Sequence, residues 1–232
     1  TLPDPRLHQL VEAHARTRPD AIAVRHGDAT LTYRDLNRRA NALARELVAR
    51  GVAAEQRVAV CVEPSLEIAI ALLAIFKAGG VYVPVEPTYP PARIAAILEE
   101  CAPPVLLCRD GLAQRLGLTG RPRISLATAP TIGEIDDANL DVPVAPSQAA
   151  SIYYTSGTTG RPKGVVATHA NVTTYILTAQ RRYAIDGRDV MPAIARFSFS
   201  ISMFELMSPL AAGGTLVVLD RVGFTGVLAT NS

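Results

Sequence analysis

Between Tyr154 and Gly164 the chain reads YTSGTTGRPKG, which places three glycines, four hydroxyl residues and one lysine within eleven positions. Thr155, Ser156, Thr158 and Thr159 offer hydroxyl donors. Gly157 and Gly160 permit positive φ values or a close approach to the backbone, and Lys163 supplies a positive charge at the end of the run. A loop that exposes successive N–H groups, hydroxyls and one ammonium can surround an anion carrying several oxygens, and phosphate is the obvious candidate. The spacing is not that of the GxxxxGKT phosphate loop: counted from Gly157 the second glycine falls on Pro162, and counted from Gly160 it falls on Val165. On composition alone the competing reading is a flexible connection that binds nothing.

The flanks argue that the loop is held in place. AASIYY before it reads as a buried strand, and GVVATHANVTTYIL after it as a second strand leading into a helix from His169 to Tyr183. Upstream, apolar residues at helical spacing predict a helix over 6–16, and Gly27-Asp28 between two β-prone runs predicts a hairpin. Thr32, with Asp35 three residues on, predicts the start of a helix that Gly51 ends. RVAVCV reads as a strand, SLEIAIALLAIFKAGG as a helix apolar on nearly every side, VYVPVEPTYPP as an extended segment, ARIAAILEECA as a helix and PVLLC as a strand. Residues 117–148 lose the periodicity and read as a surface connection with one short strand around Arg123 to Leu126. A strand near Val190 to Ala195, a helix from about Ser202 and a strand in GGTLVVLD follow. This alternation predicts an α/β fold, helices packed on mostly parallel sheets, with ligands at loops beyond the carboxyl ends of strands.

Composition narrows the class of partner. The chain has 232 residues, 49% of them hydrophobic, enough for a sizeable core. Lys and Arg number 23 against 21 Asp and Glu, so a net charge of +2 gives no electrostatic footprint for nucleic acid or an anionic membrane. The longest apolar run, Ile68 to Phe76, falls short of the ~18 residues that span a bilayer. Cys61, Cys101 and Cys108 form no CxxC, which argues against a disulfide framework or a zinc site and for a reducing, cytoplasmic setting. His8, His14 and His26 have no ligand spacing and are expected at the surface. The first residue is not Met, so the sequence is expected to be part of a longer or processed chain.

YTSGTTGRPKG resembles the signature loop of the adenylate-forming enzymes, the superfamily of nonribosomal peptide synthetase adenylation domains, acyl-CoA ligases and luciferases. LTYRDL at 31–36, FKAGGVYVPVEPTYP at 76–90 and FSFSISMFEL at 197–206 resemble the peptide synthetase branch in the same order. The resemblance covers residues 1–221 as the N-terminal portion of an adenylation core domain, leaves 222–232 unassigned, and implies that a small C-terminal domain is absent. It implies that Thr155, Ser156, Gly157, Thr158, Thr159, Gly160 and Lys163 bind the phosphates of ATP while a substrate carboxylate attacks the α-phosphate. The acyl adenylate would then pass to the phosphopantetheine thiol of a carrier protein. Magnesium is implied as well, with its ligands, like the ribose-binding aspartate, expected mainly outside this chain. Glu86 stands where the family usually has Asp and is read as scaffold.

The FDxS pattern of the family, whose aspartate pairs with the α-ammonium of an amino acid, is altered here. Two registers fit, Phe197 to Ser200 or Phe199 to Ser202; the second also aligns MFEL, and both put serine where the aspartate stands. In the second register Phe199, Ser200, Ile201 and Phe204 are the acid-binding residues that the resemblance implies, whereas Met203 is expected to pack in the core and Glu205 to be structural or solvent-facing. An ammonium buried without its partner costs several kcal/mol, so the expected acid lacks one at that position: a β-amino acid, a hydroxy or keto acid, or an aryl acid. The alternative is a carboxylate elsewhere that holds the amine. His169 is read either as protonated by a nearby anion or as a capping or packing residue. An acyl-CoA ligase, and a fragment that only binds nucleotide or a partner protein, are the rival functions; by itself the chain is expected to be inactive or weakly active.

Overall fold

The computed structural model describes residues 6–126, 138–156 and 162–220. Its elements are α1 (Leu7–Thr17), β1 (Ile22–His26), β2 (Ala29–Thr32), α2 (Tyr33–Ala49), β3 (Arg57–Cys61), α3 (Glu67–Lys77), β4 (Val81–Pro84), α4 (Pro91–Cys101) and β5 (Val105–Cys108). They continue as α5 (Asp110–Arg115), β6 (Arg123–Ile124), β7 (Ala149–Ser156), β8 (Pro162–Thr168), α6 (His169–Tyr183), β9 (Val190–Ala193), α7 (Ile201–Ala212) and β10 (Thr215–Val218).

The strands form two sheets. One runs β2-β1-β10-β9, with only β1 and β2 antiparallel; the other runs β6-β5-β3-β4-β7-β8 and is parallel except for its β7-β8 hairpin edge. Apart from Arg57 at the start of β3, the residues of β3, β4 and β5 are apolar or aromatic and buried, because both faces of the sheet are covered. Val58 and Val60 of β3, with Val105 and Leu107 of β5, face the core that includes α2 and α3, while Ala59, Cys61, Leu106 and Cys108 face the core that includes α4 and α5. The first core is continuous from α2 and α3 through both sheets, taking in Val24 and Leu216 of the smaller one.

Helix α3 explains why its sequence has no polar face: Ile68 through Phe76 are all buried. Burial of each large apolar side chain contributes roughly 1.5–3 kcal/mol, so this helix is a main source of cohesion. Gly79 then reverses the chain into β4 at φ +74°, a conformation that side chains rarely adopt. Thr32 caps α2 by accepting from the Asp35 N–H at 3.1 Å.

A polar cluster is enclosed among the helices. Lys77 at the end of α3 is paired with Glu12 of α1, and Asn139 Oδ1 accepts from Lys77 Nζ at 3.2 Å, Asn37 Nδ2 at 2.9 Å and Asn41 Nδ2 at 3.1 Å. This single amide oxygen pins the segment before β7 onto α2 and α3. Burial lowers the pKa of Lys77, and Glu12 opposes the shift. His8, expected at the surface, is instead buried at 6% exposure on the same inward stripe of α1 as Leu7 and Val11. His14 is half-buried, its Nε2 bonded to the Ala211 carbonyl at 3.1 Å; His26 pairs with Asp220 at 2.9 Å. The cysteines are buried and free.

Candidate active site

β7 runs parallel to β4, and at their carboxyl ends opens a cavity of about 690 Å³. This is the location at which open α/β sheets hold ligands, because helix and strand ends leave backbone groups and loops free to converge there. Four parts of the fold make its walls. The β7-β8 hairpin contributes Ser151, Tyr153, Thr155, Val165 and Ala167; the entry to α4 contributes Tyr89 and Arg93; α6 contributes Asn171, Val172 and Tyr175; the turn into α7 contributes Ser198, Phe199, Ser200, Ile201 and Met203.

The signature segment is a hairpin rather than a free loop. β7 extends through Ser156 and β8 begins at Pro162, so Thr155, Ser156 and Lys163 belong to strand ends. Gly157, Thr158, Thr159 and Gly160 lie outside the described residues. The register pairs Thr155 with Lys163 and Tyr153 with Val165. Side chains alternate along a strand, so Lys163 stands on the same sheet face as Val165 and Ala167, the face that lines the cavity. Gly164 is on the opposite face, where a Cβ would come within 2.7 Å of Ile152 Cγ2; only glycine lets the two strands pack there.

The turn into α7 is held by its own polar groups. Glu205 Oε2 accepts from the N–H groups of Ile194 and Ala195, both at 2.9 Å, and Ser202 Oγ donates to the carbonyls of Phe199 (2.6 Å) and Phe197 (3.0 Å). These bonds fix the backbone that presents Phe199 and Ser200, which gives Glu205 the structural role. Glu205→Ala removes a charged acceptor from two N–H groups and is expected to destabilise the fold by about 2 kcal/mol, read as a lowered thermal midpoint. Glu205→Gln should recover part of that loss.

Among the predicted acid-binding residues, Phe199, Ser200 and Ile201 line the cavity, whereas Phe204 faces a neighbouring groove of about 800 Å³ with Ile201 and Tyr175. Ile201 and Tyr175 border both, and the rings of Tyr175 and Phe204 are 5.8 Å apart. Ser200 precedes α7 without a capping bond, and no Asp or Glu is among the described residues lining the cavity. Met203 is buried yet forms part of the wall. His169 does not reach the cavity: it is 1% exposed, packs edge-on against Phe76 at 4.9 Å, and burial lowers its pKa to about 4, so its packing role is the correct one. Glu86 is buried and accepts from Thr88 Oγ1 at 3.1 Å, which ties down the turn before Tyr89.

Tyr89 and Arg93 were missed in the sequence. Tyr89 O–H and Ser198 Oγ are 3.0 Å apart, and the Arg93 guanidinium stacks 4.2 Å from the centre of the Tyr89 ring. Their spacing of four residues across a helix start was the only available signal. Among the described residues no group of three or more His, Cys, Asp and Glu could hold a metal ion, so they do not fit a magnesium centre by themselves. No helix among them is long and apolar enough to cross a membrane.

Comparison with known proteins agrees with this geometry. The profile of the AMP-binding enzyme family matches residues 11–229. Tyrocidine synthase 3 of Brevibacillus parabrevis is 37% identical over 217 residues, an alignment that spans 94% of this chain and 3% of the synthase. The crystal structure of the nonribosomal peptide synthetase FmoA3 bound to alpha-methyl-L-serine-AMP superposes with a TM-score of 0.85 at 32% identity, over 94% of this chain and 24% of that one. Its AMPPNP-bound form superposes with a TM-score of 0.86 at 31% identity, over 96% and 24% respectively. The chain thus spans a small part of the proteins it matches, and the four ordered motifs, the two-sheet core and the family match agree that it belongs to the AMP-binding enzymes, with peptide synthetases among its relatives.

Proposed function

We propose that residues 1–221 form the N-terminal portion of an adenylation core that joins a carboxylic acid to the AMP portion of ATP. The observation that carries this reading is the cavity at the carboxyl ends of β4 and β7, bordered on one side by the hairpin bearing Lys163 and on the other by the turn bearing Ser200. In the reaction a carboxylate oxygen bonds to the α-phosphorus of ATP as the bond to the bridging oxygen breaks, which releases pyrophosphate. Lys163 and the hairpin neutralise the phosphate charge and orient the chain of phosphates; the α7 turn holds the acid. The thiol sulfur of a carrier protein then bonds to the acyl carbon as the bond to the phosphate oxygen breaks, which releases AMP and the thiol proton, a step supported by the peptide synthase relatives. Magnesium would add charge neutralisation, on ligands largely from beyond these residues.

The absence of an acid among the described cavity-lining residues supports a substrate without an α-ammonium at Ser200. Pyrophosphate exchange by the full-length enzyme over a panel of acids tests this. Exchange with β-amino, hydroxy, keto or aryl acids is expected to exceed that with each proteinogenic α-amino acid; a strong preference for one of the latter defeats the substrate assignment.

A further inference from the structure

The described wall of the cavity includes a cation that the proposed chemistry has not yet used. Arg93 lies on the third residue of α4, half-buried, and its side chain lines the cavity. Elsewhere on the surface, arginines sit against carboxylates, as Arg109 does on Glu67, Arg115 on Glu63 and Arg123 on Asp110. Arg93 is instead held by a ring. Its guanidinium stacks on Tyr89, whose hydroxyl is fixed by Ser198 of the opposite wall. Stacking uses the face of the guanidinium and leaves its in-plane N–H donors available, and the buried Nε in particular has no acceptor among the described residues. A buried donor without an acceptor is costly, which points to a ligand that completes the site.

The surroundings define the chemistry of that ligand. No carboxylate is among the described residues lining the cavity, so none of them competes for the guanidinium and a cationic ligand would be repelled. The planar fork matches an oxyanion bidentately, and the stack on Tyr89 fixes its orientation before the ligand arrives. We propose that Arg93, positioned by Tyr89 and Ser198, is an oxyanion-binding residue of the cavity that grips a phosphate of the nucleotide or a carboxylate of the acid. The inference deepens the adenylation reading and rests on the same cavity.

The test is calorimetric titration of the full-length protein with two probes, inorganic pyrophosphate and benzoate, in wild type and Arg93→Gln. A charge-assisted bidentate contact predicts a loss of affinity of about ten- to a hundredfold in the variant. Weakened pyrophosphate binding assigns Arg93 to the phosphates, and weakened benzoate binding assigns it to the acid. Equal affinities in both proteins for both probes, or no binding of either probe by wild type, overturn the proposal. Arg93→Lys keeps the charge and loses the fork, so it should bind with intermediate affinity; should the glutamine variant fail to fold, an unchanged affinity in Arg93→Lys overturns the proposal instead. Exchange activity is scored separately. A protein that binds the probes through Arg93 without pyrophosphate exchange refutes the adenylation reading alone, and one that exchanges pyrophosphate with probe binding indifferent to Arg93 refutes only this inference.

Discussion

Lys163→Ala in the full-length enzyme is expected to lower ATP–pyrophosphate exchange about a hundred- to a thousandfold, the range seen when one preorganised donor to developing charge is removed. The fold should survive. Lys163 is exposed, and its contribution to the sheet is through the backbone, which pairs with Thr155 and is unaffected by truncation of the side chain. What is lost is an ammonium on the face of β8 that borders the cavity. The effect should therefore appear in exchange kinetics with an unchanged thermal midpoint, and Lys163→Arg, which keeps the charge on a broader planar head, should restore part of the rate. A loss smaller than about threefold would mean that other groups hold the polyphosphate, and the assignment of the hairpin as the phosphate grip would fail.

The same hairpin shows how far the sequence could be read. Its glycines, hydroxyls and lysine were enough to propose an anion-binding element without any structure, because donor chemistry is written in residue types. Its geometry was not written there. Whether Thr155 and Lys163 belong to a loop or to paired strands depends on the β7-β8 ladder, which is a tertiary pairing. Helix α3 was legible for the opposite reason: an uninterrupted apolar run of helical length can only be buried, and it is. The six-residue helix α5 was not legible, since fewer than two turns give no periodic signal. Arg93 and His8 were hidden by a different limit. A polar residue reads as solvent-facing until the partner that covers it is known, and for these two the partners are Tyr89, met through an aromatic stack, and the buried cluster beneath α1. The groove that Phe204 faces illustrates the same limit at the site, where Ser200, just before α7, and Phe204 within it border two adjoining cavities.

Stability of the chain is expected to fall steeply on mild acidification, because two histidines are buried in their neutral form. Burial lowers the pKa of His8 from 6.5 to about 3, helped by Lys77, His169 and Arg6, and lowers that of His169 from 6.5 to about 4, helped by Arg6. Both are bases with a folded pKa below the unfolded one. Above pH 6.5 neither state carries the proton and they add no pH dependence. As pH drops through 6.5 the unfolded chain takes up protons that the fold refuses, so stability is lost progressively until the folded values near 3 and 4 are reached. At pH 5 each histidine accounts for about 2 kcal/mol and the pair for about 4 kcal/mol, a large share of a typical folding free energy. Urea unfolding at pH 7.5 and pH 5 measures this directly. The substitutions His8→Leu and His169→Phe replace each ring by an apolar side chain, the second keeping an aromatic edge against Phe76, and the double variant should flatten the pH dependence between those two values. Carboxylates such as Glu67, where burial raises the pKa but the bond to Arg109 and its neighbours outweigh it and lower the net value, act only at more acidic pH and leave that window to the histidines. A wild-type stability that changes by less than about 1 kcal/mol between pH 7.5 and pH 5 would mean that these rings are reached by water in solution, and the enclosed packing of α1 against α2, α3 and α7 would have to be abandoned.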